Sequence, residues 1–267
     1  MSQHKSFPRS AVFWAALAFT VCVAIFLLLP VLLSILTGLT RNQLVGLESG
    51  LTLRWVFEVW ADYRSSIWLS FGIALACLAS TLLLGVPAAY VLLRCQGRWA
   101  RTIEEMLMLP VALPGIATAL ALIVTYGAVG DFRTHWSFIL VGHVLFTLPF
   151  MVRAVLAVML SVDMPALEEA ARSLGASFWQ RFTRVVLPNC RSGIVAGALM
   201  VLTLSIGEFN MTLLLHTPLT QTLPVGLADA YASLRIEVGS AYTIVFFVMI
   251  VPLLIALQLA GGRRIQV

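Results

Sequence analysis

One carboxylate in this chain stands where a charge is hard to keep. Glu208 lies in SIGEFNMT, inside an apolar run over 194–215, where an ionised side chain costs on the order of 3 kcal/mol or more unless it is paired or wet. At 100° per residue, a helix over that run gathers Ser205, Glu208, Thr212 and His216 into one narrow polar sector. Such a stripe can do one of two things. It can hydrogen-bond its helix to neighbouring helices, or it can form the wall of a solute pathway with Glu208 as the group that touches cargo. Arg153 sits near the inner end of the run over 136–160, whereas Glu208 lies about two thirds of the way out along its own, so the depths argue against an Arg153–Glu208 pair.

A second set of residues is polar, regularly spaced and outside the apolar runs. The stretch 163–188 reads DMPALEEAARSLGASFWQRFTRVVLP and predicts two short helices joined at a glycine. Pro165 suits a first helical turn, and Glu168 and Glu169 complement the helix dipole there. Leu167, Ala170, Ala171 and Leu174 recur at three- and four-residue spacing and predict an apolar face to be buried. Gly175 ends that helix as a left-handed cap. Ser177 and Gln180 match a capping box that reopens a helix, with Phe178, Phe182 and Val185 along one side until Pro188. An element of this kind either rests on a membrane surface or docks another protein.

The remaining chemistry is mostly exclusion. There is no G-x-x-x-x-G-K-[ST] and no G-x-G-x-x-G, so ATP and NAD are not bound by those devices. His4, His135, His143 and His216 are scattered without metal-ligand spacing and are expected to be structural or interfacial. Cys22, Cys77, Cys95 and Cys190 show no C-x-x-C pair, so neither a disulfide framework nor a metal site is expected. No serine or cysteine has a base beside it, and no catalytic residue or cofactor is predicted.

The elements that position these residues follow from composition. Hydrophobic residues make up 60% of the 267, charged residues 11%, and mean hydropathy is +0.97; a soluble domain carries about 25% charged residues. The chain is therefore expected to be an all-α, polytopic membrane protein forming one domain over 1–267. About 20 apolar residues cross the hydrocarbon core, and six runs qualify: 11–36, 67–93, 106–129, 136–160, 194–215 and 241–260. The first is longer than a signal-peptide core and is expected to be a retained span.

An even count puts both termini on one side, and the basic residues choose it. Lys5 and Arg9, then Arg94, Arg98 and Arg101, then Arg172, Arg181, Arg184 and Arg191, then Arg263 and Arg264 share one side. Only Arg41, Arg54, Arg64, Arg133 and Arg235 fall on the other. This placement makes the stretch 163–188 and both termini cytoplasmic. It also accounts for the net charge of +5 without a nucleic-acid partner.

Three connections carry further expectations. The outer loop 37–66 holds Trp55, Trp60 and Tyr63, suited to the membrane interface or to a partner subunit. In MLPVALPG, Pro110, Pro114 and Gly115 predict a kink in the third span. The outer loop 216–240 is broken early by Pro218 and Pro224, with a short helix over 226–234 that lines the outer mouth.

The motif Glu169-Ala170-Ala171, three residues, Gly175, nine residues, then Val185-x-Leu187-Pro188 resembles the EAA loop of permease subunits of bacterial type I ABC importers, with Val185 in place of the usual Ile. LPxxLPG at 109–115, LPF at 148–150 and TLPVGL at 222–227 resemble the subgroup serving polyamines, aminophosphonates, iron, thiamine and sulfate. Within it the chain looks most like the second permease of spermidine/putrescine systems. Those permeases often carry acidic pairs where this chain has Gly207-Glu208-Phe209-Asn210, which looks closer to aminophosphonate or oxyanion systems.

The resemblance implies a mechanism. A second, non-identical permease pairs with this one in the bacterial inner membrane. A cytoplasmic ATPase dimer binds the ATP and receives the EAA loops, here through Glu169, Ala170, Ala171, Gly175, Phe178, Trp179, Leu187 and Pro188. A periplasmic binding protein delivers a small polar solute, of polyamine or aminophosphonate type. The alternatives are a channel or secondary transporter working without an ATPase, which would show inverted repeats, and an intramembrane enzyme, which would need ionisable groups converging at one depth.

Overall fold

In hydrocarbon no water is present to satisfy backbone N–H and C=O groups, so long apolar runs must become helices. This computed structural model describes residues 11–95 and 98–262. Lys5, Arg9, Arg263 and Arg264, which contribute to the charge asymmetry, and His4 lie outside the described residues. The helices are α1 (Ala11–Gly38), α2 (Arg54–Arg94), α3 (Arg98–Leu107), α4 (Leu109–Ala112), α5 (Gly115–Tyr126), α6 (Trp136–Ser161), α7 (Met164–Ser173), α8 (Phe178–Arg181), α9 (Leu187–Asn189), α10 (Arg191–Ile206), α11 (Thr212–Leu215), α12 (Leu223–Ala232) and α13 (Ile236–Gly262). Among the described residues the β pairing is a single bridge between Thr40 and Leu51. The fold is all-α and polytopic. Four unbroken helices, α1, α2, α6 and α13, are long and apolar enough to cross a membrane, and two bent pairs make six when each counts as one crossing.

The pairs bend where helix breakers stand. Pro110, Pro114 and Gly115 divide the third run into α4 and α5, and the two halves meet at 101°. The expected kink is thus a full break. The fifth run also differs from its expected form: α10 stops at Ile206, and the segment 207–211 is non-helical before α11. At its other end α10 meets the segment Phe178–Asn189 at 67°.

At the centre α2, α6 and α10 pack side by side, and small residues let them approach. Cys77, Val86 and Ala89 of α2 meet Met151, Val155 and Met159 of α6 and Ala198 and Val201 of α10 in one buried cluster. α13 closes a second cluster, where Ile250 joins Ala74, Leu202 and Ile206. α1 lies along α13, with Gly38 against the backbone of Ser240 and Ala241 and Ser34 Oγ donating to Thr243 Oγ1 at 3.3 Å. From Val12 to Pro30 α1 is exposed and mostly apolar.

The connections are more helical than their sequences suggest. α2 begins at Arg54, well inside the stretch expected to be loop, and turns at Tyr63 (φ −121°, ψ 17°). Trp55 Nε1 donates to the Thr40 carbonyl at 2.8 Å and Tyr63 stacks near Tyr242 at 5.3 Å, so those two rings pack inward while Trp60 stays exposed. Pro224 does not break the 216–240 segment; it occupies the first turn of α12, where its missing N–H goes unused. α13 then starts at Ile236, five residues ahead of the expected span.

The α6–α10 contact is tight enough to test. A Cβ on Gly193 would lie 2.6 Å from the Ala154 carbonyl and 3.1 Å from Val155 Cα, neither of which can move alone. Gly193→Val is expected to destabilise the protein by about 1–3 kcal/mol. Gly72→Val, where nothing lies within 4 Å, is the matched control. Thermal unfolding in detergent compares the two, and equal midpoints would refute the packing account.

Candidate functional site

Glu208 sits in the break between α10 and α11, and its side chain organises the start of α11. Its Oε1 accepts the Met211 N–H at 2.9 Å, and its Oε2 accepts the Thr212 N–H at 2.8 Å and the Thr212 hydroxyl at 2.7 Å. The carboxylate thus caps α11, satisfying donors that a helix start leaves open. Arg133 closes the other end: Nη1 donates to the Leu215 carbonyl at 2.6 Å and Nη2 to the Leu214 carbonyl at 2.8 Å. A four-residue helix is therefore held by a negative group at its start and a positive group at its end, the arrangement its peptide dipoles favour.

His143 of α6 joins this carboxylate to α10. Its Nδ1 is 2.8 Å from Ser205 Oγ and its Nε2 is 2.8 Å from Thr212 Oγ1, with Glu208 Oε2 3.9 Å from Nε2. The roles follow from the chain of donors. The Thr212 hydroxyl gives its proton to Glu208, so it accepts from Nε2–H, and the Nδ1 lone pair accepts from Ser205. Glu208 is 8% exposed and His143 3%. The break in the third span arrives at the same place, since a Cβ on Gly115 would stand 3.2 Å from Asn210 Cβ and from the Met211 nitrogen and 3.5 Å from Glu208 Oε1. A larger residue there would make the start of α5 and the 207–211 segment give by a few tenths of an ångström.

The expected stripe is thus corrected in its geometry. Ser205, Glu208, Thr212 and His216 do not share one helical sector, because the helix ends between the first and second of them. The fold still brings Ser205, Glu208 and Thr212 together, around a histidine that sequence reasoning set aside. A signal for it existed: Glu208 is seven residues from the outer end of its run at 215, and His143 is seven from the start of its own at 136. His216 stands apart, with Nδ1 2.9 Å from the Leu213 carbonyl. It borders a cavity of about 560 Å³ with Phe209, Gln221 and Asp229. Arg153 does not reach Glu208 and instead lies 3.7 Å from Glu104, as the depths required.

The stretch 163–188 folds with the expected punctuation. Pro165 lies in the first turn of α7, Gly175 adopts φ +82°, and the Ala176 N–H reaches back to the Ala171 carbonyl at 3.1 Å. The capping box is complete, with the Ser177 N–H donating to Gln180 Oε1 at 2.8 Å and the Gln180 N–H to Ser177 Oγ at 3.4 Å. After Arg181 one π-helical turn, Phe182–Val186, leads into α9, where Pro188 cannot supply a backbone donor.

What differs is the face that α7 buries. Leu167 is partly exposed and Leu174 is 87% exposed, while Met164 and Glu168 are buried. The physical reason is a set of donors. The Tyr90 hydroxyl donates to Glu168 Oε1 at 2.9 Å and Arg94 Nη2 to Oε2 at 2.5 Å, and Arg181 Nε lies 3.6 Å from Oε1. Charge-assisted bonds turn the helix by more than its leucines resist. Ala171 is half-buried, Ala170 exposed, and Glu169 stays in the open 3.8 Å from Arg172. Phe178 and Trp179 are exposed, with Phe178 stacked on Phe182 at 6.1 Å and Phe182 edge-on to Tyr90 at 5.6 Å. Leu187 is half-buried and Pro188 exposed.

Comparison with known proteins agrees with this geometry. The chain is 28% identical over 216 residues to the sulfate transport system permease protein CysW of Synechocystis sp., covering 76% of this chain and 78% of that one. It is 28% identical over 231 residues to the molybdenum transport system permease protein ModB of Mycobacterium bovis, covering 78% and 83%. Its fold is similar to a chain in the crystal structure of a bacterial alginate ABC transporter in complex with an alginate pentasaccharide-bound periplasmic protein, with a TM-score of 0.77 at 17% identity over 96% of this chain and 95% of that one. Residues 81–264 match the family described as binding-protein-dependent transport system inner membrane component. The chain belongs to that family, the inner-membrane permeases of ABC importers.

Proposed function

We propose that this permease works with a second, non-identical permease and a cytoplasmic ATPase dimer to import a small oxyanion, of the sulfate, molybdate or phosphonate kind, received from a periplasmic binding protein. One observation carries the ATPase assignment. By burying Glu168, α7 leaves Leu167, Ala170 and Leu174 exposed beside the exposed rings of Phe178 and Trp179. These residues, with Glu169, Ala171, Gly175, Leu187 and Pro188, form the docking face, and Gly175 sets its bend.

The solute class rests on Glu208. A polyamine path needs carboxylates that face the cargo, whereas both oxygens of Glu208 are occupied by N–H and hydroxyl donors of its own segment. Its lone pairs are therefore engaged within its own segment and not turned toward a passing cation. Ser205, Glu208 and Thr212 frame the wall of the pathway from behind, and His216 is the member of the set that borders open space. The similarity to sulfate and molybdenum permeases points to the same class, and aminophosphonates fall within it.

Three measurements test this reading. Gly175→Asp places an L-residue at φ +82° and a charge in the docking face; ATP-dependent uptake into proteoliposomes is expected to fall about tenfold or more, with loaded binding protein still captured. Normal uptake by that variant would refute the docking assignment. Glu208→Ala leaves the Met211 and Thr212 N–H groups without their acceptor and is expected to cost about 2–3 kcal/mol, read as a lower unfolding midpoint in detergent; Glu208→Gln keeps one acceptor oxygen and should lose less. For the solute, sulfate, molybdate and a phosphonate are compared with spermidine as ligands that make the binding protein stimulate ATP hydrolysis. Stimulation by spermidine alone would overturn the oxyanion assignment.

A further inference from the structure

Glu168 belongs to neither the docking face nor the pathway, yet the fold has taken it out of water. Its side chain is 2% exposed. It stands on α7, and both of its hydrogen-bond donors, Tyr90 and Arg94, stand on the last turns of α2. Across the Gly175 bend, on α8, Arg181 points its Nε at Oε1 from 3.6 Å. That is beyond hydrogen-bond reach, and among the described residues this buried Nε has no hydrogen-bond partner, while Nη1 of the same side chain donates to the Ala176 carbonyl at 2.8 Å.

We propose that Glu168 is a positioning residue that passes movement of the docking stretch to α2, by sharing its carboxylate between Arg94 and Arg181. The geometry separates the two partners. Gly175 lies between Glu168 and Arg181, so closing the bend shortens the distance from Arg181 to the carboxylate and leaves Arg94 where it is. The unused Nε–H then gains an acceptor in the closed form. Two discrete arrangements of one hydrogen-bonded group are what a coupling element requires.

The far end of the link is also defined. α2 is helical from Arg94 back to Ser70, with Pro87 inside it, about 36 Å of helix at 1.5 Å per residue. There the Ser70 hydroxyl accepts the Leu223 N–H at 2.7 Å. Ser70 and Ile73 border the same small void as His143, Ser205 and Glu208. One helix therefore runs from the buried carboxylate at the docking stretch to the void that Glu208 borders, and a displacement at Arg94 is carried along α2, past Pro87, to that void.

This inference rests on the proposed ATPase coupling, and its test separates the two. The complete complex, with both permeases, the ATPase dimer and the binding protein, is reconstituted in liposomes, and the quantity read is solute imported per ATP hydrolysed. Arg181→Met keeps the Arg94–Glu168 anchor and removes the idle Nε donor, while Arg181→Lys, which keeps the charge and one donor group able to reach the Ala176 carbonyl, is the control for the lost Nη1 bond; the complex is expected to assemble with Met, and the ratio to fall about fivefold or more. Glu168→Gln and Arg94→Gln should each lower the ratio in assembled complex, and the double variant should be no worse than the worse single one, because all three break one link. A wild-type ratio in Arg181→Met, or multiplicative losses in the double variant, would overturn the role given to Glu168 while leaving the ATPase reading intact. If the wild-type complex imports solute without ATP hydrolysis, the coupling reading itself fails and takes this inference with it.

Discussion

A carboxylate removed from water has to be met by donors, and this fold places two where water is scarce. The two are met in different ways. Glu208 finds its donors three and four residues ahead in its own segment, so the open N–H groups of a broken helix and the unmet acceptors of a buried charge satisfy one another. Glu168 finds donors 74 and 78 residues away on α2. The first solution is local and makes a stable interruption; the second is long-range and ties a peripheral element to the central helix.

The interruption matters because hydrocarbon forbids open backbone groups facing lipid. Two spans are nevertheless broken, and each break completes the other. The start of α5 reaches the 207–211 segment through Gly115, where a side chain would be tight against Asn210 and the Met211 nitrogen. Arg133 closes the carbonyls at the end of α11, and His143 bridges the hydroxyls of Ser205 and Thr212. These contacts satisfy the backbone groups that the breaks leave open, although Gly207 and Asn210 themselves stay exposed.

Against these broken elements stand two long helices with different environments. α2 packs against α6, α10, α12 and α13 and carries polar anchors to other elements at several levels, Ser70, Tyr90 and Arg94 among them. α1 has no comparable surroundings, and its apolar side chains face outward almost all round, which suits a helix solvated by lipid. The contrast explains why α2 can transmit displacement while α1 is held only along one side, by α13.

Much of this was legible from residue types because it depends on near neighbours. Six apolar runs, the proline and glycine breaks, the Gly175 cap, the Ser177–Gln180 box and the EAA spacing are all set within a few residues, where sterics and hydrogen bonding act directly. The capping geometry at Ser177 followed its sequence closely. The face that α7 buries did not, because Leu167 and Leu174 outnumber Glu168 in any local pattern, and the donors that reverse the outcome come from another helix. In the same way, a periodic reading of 194–215 could not know that Glu208 would cap a new helix start instead of continuing the old one. Sequence alone determined the apolar runs, their breakers and the local form of the 163–188 stretch, since those are local preferences in a medium that demands satisfied backbone. Tertiary structure decided which carboxylate is buried, which histidine meets Glu208 and where α10 ends, because each depends on which distant groups arrive to satisfy a charge.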